Sequence, residues 1–270
     1  MKSSVISFEN RNFAPGQRDS HWLRSATTPT NLVEPVQIWA APVVLVEQAH
    51  EWVSSALVDE DRAGLKTLSA IRQTEVQLGR CLLRRALMAS GFVNIANEPL
   101  AYGQHGAPHF ASTSDRGPWF SISHANGWVA VSLSSESRIG LDLESANRQL
   151  NVSRLGPRVL SASEVTWLTN FDSETEPRHL LTAWVGKEAV LKAIGLGVHG
   201  VTTSVEVLGQ ETSPVRTDPQ SGKRQHWSAV WPAIDESLLV CLAAEAAPQS
   251  IRLIRVSASQ TTEAARHNPR

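Results

Sequence analysis

Residues 119–134 read WFSISHANGWVAVSLS. Two runs rich in β-formers, Trp119 to His124 and Trp128 to Ser134, flank Asn126-Gly127, a dipeptide suited to the positive-φ positions of a tight hairpin turn. An antiparallel pair is therefore predicted here, and Ile139 to Glu144 follows as a third short strand. Moving outward, the apolar spacing becomes helical. Thr74 with Gln77 fits a capping box, Leu78, Leu82, Leu83 and Ala86 form an apolar stripe, and Gly91 supplies the stop. The other face of that helix carries Arg80, Arg84 and Arg85. Downstream, Ser161 with Glu164 opens a short helix. Pro177 begins a long one, with Leu180, Leu181, Trp184, Leu191 and Ile194 apolar and Gly195 at its end.

Val36 to Val46 reads as an opening strand, and Glu47 to Ala70 as helical turns. Val205 to Leu208, Trp227 to Val230, Leu238 to Ala244 and Ile251 to Val256 read as closing strands. Strands and helices interleave, yet the tight hairpin implies antiparallel pairing. The expected class is α+β, not a parallel doubly wound sheet. Residues 1–35 and 257–270 are polar, without sustained periodicity, and are expected to be a flexible leader and a flexible tail.

The composition narrows the functional classes. Of 270 residues, 41% are apolar and 19% charged, which excludes a fibrous or wholly disordered chain. A net charge of −1 supplies no overall field for nucleic acid or a membrane surface. Cys81 and Cys241 sit in apolar surroundings with no Cys or His at metal-ligand spacing, as suits a reducing compartment. The longest apolar run, Ile38 to Val46, is too short to span a bilayer, and no signal-peptide pattern opens the chain. A soluble, cytoplasmic protein is expected. The positive charge is distributed unevenly, as five Lys and twenty Arg, with two of the five Lys at 187 and 192.

Three short constellations carry chemistry. In Ile139-Gly-Leu-Asp-Leu-Glu144, strand alternation turns Asp142 and Glu144 to one face and the aliphatic residues to the other. Paired carboxylates suit a divalent cation such as Mg²⁺, but alternating polar positions equally describe a solvated strand face. In Trp184-Val-Gly-Lys187-Glu188-Ala-Val-Leu-Lys192, Glu188 and Lys192 share a helix face, one turn apart. That spacing suits either a surface ion pair or a third carboxylate and a lysine at a metal-assisted phosphoryl-transfer site. Ser121-Ile-Ser-His124 ends a strand before the turn, where a histidine serves either packing or phosphate binding.

In this order the three constellations resemble the Sfp-type 4′-phosphopantetheinyl transferases. The match rests on Trp119 to His124, Ile139 to Glu144, Trp184 to Lys192 and Gly195-Leu-Gly197. Leu78 to Arg84 and Arg158 to Glu164 add weaker support, and roughly residues 36–245 are covered. The resemblance implies two similar α+β halves related by a pseudo-twofold, here 36–140 and 141–256, with coenzyme A between them. It implies transfer of the phosphopantetheine arm of coenzyme A to a serine of an apo acyl or peptidyl carrier protein, releasing 3′,5′-ADP, by a monomer. Carried over by position, Asp142, Glu144 and Glu188 bind Mg²⁺. Glu188 is also the base for the carrier serine, and Lys192 stabilises the departing phosphate. His124 contacts the 3′-phosphate, with Ser123 on the coenzyme near it. Arg62, Lys66, Arg72 and Arg80 are the first-half candidates for coenzyme A.

One departure from the family is plain. Its frequent Gly-Lys-Pro is Gly106-Ala107-Pro108 here, leaving His105, His109 or an arginine to replace the lysine. Two other functional classes compete with the transferase. A metal-dependent phosphohydrolase would cleave the coenzyme A pyrophosphate without a carrier. A non-catalytic module would bind carrier or coenzyme A without turnover and without Mg²⁺.

Overall fold

In a computed structural model, residues 4–13, 35–112, 117–196, 202–209 and 213–260 are described. The first strands are β1 (Ser4–Phe13) and β2 (Val36–Pro42), followed by helices α1 (Leu45–Gln48), α2 (His50–Ser54), α3 (Asp59–Leu65), α4 (Ala70–Ala89) and α5 (Val93–Ala96). Next come β3 (Leu100–Tyr102), β4 (Pro108–Phe110), β5 (Trp119–Ala125), β6 (Trp128–Ser134) and β7 (Ile139–Ser145). Helices α6 (Val152–Val159), α7 (Ala162–Leu168) and α8 (Glu176–Ala193) precede the short strands β8 (Val205–Glu206), β9 (Val215–Thr217) and β10 (Arg224–His226). The last strands are β11 (Ser228–Val230), β12 (Leu238–Ala244) and β13 (Ile251–Gln260). The α+β class follows, with helices packed on largely antiparallel sheets.

The hairpin forms as its turn dictates. Asn126 and Gly127 have φ of 48° and 74°, and Ala125 pairs with Trp128 across them. From it grows a five-stranded sheet, ordered β1-β13-β2-β6-β5; a second sheet is ordered β11-β12-β7. Alternation gives each sheet two apolar faces. Trp39, Val129 and Val131 point to α4, where they meet Leu78, Leu82 and Leu83. Ile38, Ala130 and Leu253 point the other way, against Leu141, Val240 and Leu242 of the second sheet. That sheet's far face places Cys241 and Ala243 against Val185 and Ala189 of α8. Four layers result: helix, sheet, sheet, helix. One strand order occurs twice, since β2-β6-β5 with α4 matches β7-β12-β11 with α8.

Several details differ from the sequence reading. Ser4–Phe13, expected within a flexible leader, pairs residue for residue with β13, and that ladder carries β13 past Val256 to Gln260. Two polar-looking segments satisfy each other's backbone groups there, which apolar periodicity does not register. Residues 1–3, 14–34 and 261–270 of the expected leader and tail lie outside the described residues, as does Gly197. β13, assigned to the second half, instead joins the first sheet parallel to β2, and the 140/141 boundary cuts through β7. Helix α4 begins at Ala70, so Thr74 is internal and bonds to the Ala70 carbonyl. Gln73 ties the added turn back to the Leu68 carbonyl. Among the described residues, no helix is long and apolar enough to cross a membrane.

Candidate active site

Gly140 determines how closely α8 approaches β7. A Cβ at this position would lie 1.9 Å from the Ala189 carbonyl oxygen and 2.6 Å from the Ala193 nitrogen, so only glycine admits the helix. Strand alternation puts Asp142 and Glu144 on the face that Gly140 offers to α8. Helical spacing puts Trp184, Glu188 and Lys192 over that face. This face is covered, not solvated: Asp142 is 5% exposed. All five side chains line one cleft of about 520 Å³, within the usual range for small-molecule sites.

Lys192 Nζ donates to Asp142 Oδ1 at 2.6 Å and to Ser123 Oγ at 2.9 Å. Glu144 accepts from the Trp184 indole N–H at 3.2 Å and pairs with Arg148, a residue the sequence reading missed. Burial, then the Asp142 carboxylate, push Glu188 up to about 7, with Glu144 adding and Lys192 and Arg148 opposing. Burial likewise raises Glu144, against Arg148. Asp142 Oδ2 is buried without a hydrogen-bond partner. Among the described residues, His, Cys, Asp and Glu side chains form no ready group of three metal ligands; Asp142 is turned to Lys192 and Ser123, and Glu144 to Trp184 and Arg148.

Lys187, the other lysine beside Glu188, faces away from the cleft. It is fully buried, donating to Glu164 Oε2 at 2.5 Å and to the Thr202 and Val205 carbonyls. Burial pulls its amine below the usual lysine value, while Glu164 counters. Glu164 also accepts from the backbone N–H groups of Ser161, Val207 and Leu208. The predicted Ser161–Glu164 capping box is thus present and doubles as the anchor of α8.

The opposite wall of the cleft comes from α4 and the β3–β4 hairpin. Arg72 donates to His124 Nε2, and His124 Nδ1 sits 3.2 Å from Glu75, so the ring is held neutral between them. Burial, then Arg72, lower the imidazole's proton affinity against the pull of Glu75, and Lys192 lowers it further. Arg80 lines the cleft but is 9% exposed, bonded to the Asp61 carbonyl and to the Tyr102 hydroxyl. Arg62 and Lys66 do not line it. Arg62 is engaged by Asp59 and the Ser54 carbonyl. Ala107 and His105 line the cleft, and His109 does not. Ser123, expected on the coenzyme, lines the cleft but is 4% exposed, with its hydroxyl bonded inside the protein. Tyr102 and Glu75 were invisible in the sequence because neither belongs to a motif; only the fold brings them to the cleft.

The cleft of this four-layer α+β protein brings together three carboxylates, a lysine and an Arg–His pair. Residues 138–241 match the family model described as the 4′-phosphopantetheinyl transferase superfamily. A putative 4′-phosphopantetheinyl transferase of Synechocystis is 30% identical over 126 residues, covering 47% of this chain and 51% of that protein. The 4′-phosphopantetheinyl transferase AcpT of Salmonella typhi is 29% identical over 125 residues, or 46% and 60%. HetI of Nostoc, likewise named a 4′-phosphopantetheinyl transferase, is 23% identical over 197 residues, or 72% and 83%. The family model covers well under half of the chain, the part that carries Asp142, Glu144, Glu188 and Lys192. The match spans little more than half the length of the first two relatives.

Proposed function

We propose that the protein transfers the 4′-phosphopantetheine arm of coenzyme A to a serine of an apo acyl or peptidyl carrier protein, releasing 3′,5′-ADP. The observation carrying this reading is the convergence of Asp142, Glu144, Glu188 and Lys192 across the cleft from Arg72 and His124. The recurring strand–helix order supports two halves related by a pseudo-twofold, with the coenzyme between them.

The donor set fits Mg²⁺. The carboxylates are hard oxygen ligands, Asp142 Oδ2 lacks a partner, and burial first, then the charge of Asp142, raises Glu144 and Glu188. Asp142, Glu144 and Glu188 would hold the ion, which when bound neutralises charge on the pyrophosphate. The chain's own residues do the rest. Glu188 takes the proton of the carrier serine as its Oγ bonds to the phosphorus bearing the pantetheine arm. The bond from that phosphorus to the bridging oxygen breaks, and Lys192 stabilises the charge left on 3′,5′-ADP. Arg72 and His124 hold the 3′-phosphate, and Trp184 shields the reacting end from water.

The test is mass spectrometry of apo carrier proteins incubated with the protein, Mg²⁺ and coenzyme A. A gain of one phosphopantetheine arm is expected. Asp142→Ala, Glu188→Ala and Lys192→Ala should each cut labelling by about a hundredfold or more without unfolding the chain. Undiminished labelling by all three variants, or coenzyme A cleavage without a carrier, overturns the reading.

A further inference from the structure

β5 and β7 meet at the boundary between the two large sheets, yet they belong to different sheets. Serine side chains make the junction. Ser121 Oγ reaches the Leu141 carbonyl at 3.5 Å, and Ser123 Oγ makes three closer contacts. It donates to Asp142 Oδ1 at 3.0 Å and accepts from the Leu143 N–H at 3.1 Å and from Lys192 Nζ at 2.9 Å. A hydroxyl has one proton and two lone pairs, so this one is saturated. It is also buried on the β7 side of its strand. Its neighbours Ile122 and His124 point to the α4 side, toward Gly79 and toward Arg72 with Glu75. Successive strand residues face opposite ways, so the Ser123 and His124 side chains address different parts of the cleft.

We infer that Ser123 is a positioning residue of the transfer step and not a coenzyme contact. Its hydroxyl holds the Lys192 ammonium and the Asp142 carboxylate in one geometry across the sheet junction. This role rests on the transferase reading for its catalytic consequence, but not for its structural one. Losing the hydroxyl leaves Lys192 with Asp142 alone and the Leu143 N–H without its acceptor. The lysine then samples orientations that do not face the leaving phosphate.

The experiment is steady-state transfer with the full chain, Mg²⁺, coenzyme A and an apo carrier. In Ser123→Ala, kcat should fall about tenfold, as for a lost hydrogen bond to a charged group, while KM for coenzyme A stays within about twofold. Ser123→Thr, which restores the hydroxyl, should recover most of the rate. A raised coenzyme A KM with unchanged kcat makes Ser123 a coenzyme contact and overturns the inference. A second measurement needs no activity: urea unfolding of Ser123→Ala, Lys192→Met and the double variant. Contact between the two residues should make the double loss differ from the sum of the single losses, and strict additivity overturns the inference. A wild-type chain that labels no carrier overturns the transferase reading alone, and the unfolding cycle still decides whether Ser123 holds Lys192.

Discussion

Charge at single residues is managed in this cleft by pairing, and the pairs differ in what they leave available. Lys192 is part-exposed and close to the carboxylates, so it can turn to a phosphate. Arg80 is enclosed by Asp61 and Tyr102 and contributes mainly fixed positive potential. His124 is the residue whose state should change on binding. Its free ring is held neutral by burial and by Arg72 and Lys192, against Glu75, the charged groups facing it from α4 and α8. A phosphate dianion beside the ring favours the imidazolium and raises its pKa. Coenzyme A binding should therefore take up a proton, and affinity should rise as pH falls from about 8 to about 6. Titration calorimetry in buffers of differing ionisation heat measures the uptake, and His124→Gln should abolish it. Equal uptake by wild type and variant would remove His124 from the phosphate site.

At the scale of elements, α8 performs two tasks on two faces. One face presents Trp184, Glu188 and Lys192 to the cleft. The other is locked by Lys187, whose ammonium closes onto Glu164, the carboxylate that caps α7 and accepts from the backbone after β8. Removing one member of a buried, fully bonded ion pair strands the other charge, at a cost of about 3–5 kcal/mol. Lys187→Ala should lose about that much in denaturant unfolding. Joint replacement by Lys187→Met and Glu164→Gln should lose clearly less than the sum of the single changes. Equal stability of wild type and Lys187→Ala would show that the pair does not anchor the helix. Sequence spacing placed Lys187 and Lys192 in one short motif. It did not show that their neighbouring positions on a helix send one into the core and the other to the cleft, because that depends on what packs against each face.

Across the whole molecule, the two cysteines report on separate packing layers. Cys81 lies between α4 and the first sheet, and Cys241 between the second sheet and α8. Burial lifts the Cys81 thiol to about 11, with Arg85 opposing, and raises Cys241 well above its ordinary value, helped by Asp142. The thiolate is the reactive form, so neither cysteine should react with a thiol reagent near pH 8 in the folded chain. Both should react in denaturant. Prompt reaction of Cys241 under native conditions would mean that α8 does not cover the second sheet.

The sequence by itself determined the α+β class, the hairpin at Asn126-Gly127, and the motifs carrying Asp142, Glu144, Glu188, Lys192 and His124. Those signals are local: a turn dipeptide, a period of two along a strand, a period near four along a helix. Only the tertiary structure decided that β13 returns to pair with β2 and β1. It also decided that Arg62 and Lys66 stand away from the cleft while Tyr102 and Glu75 enter it, and that the near-neutral chain keeps its scarce lysines for opposite purposes. The physical reason is that a side chain's role depends on the surface it meets. Ser123 illustrates it: one hydroxyl, adjacent in sequence to the cleft histidine His124, is turned by strand alternation to join two sheets and contact a lysine sixty-nine residues away.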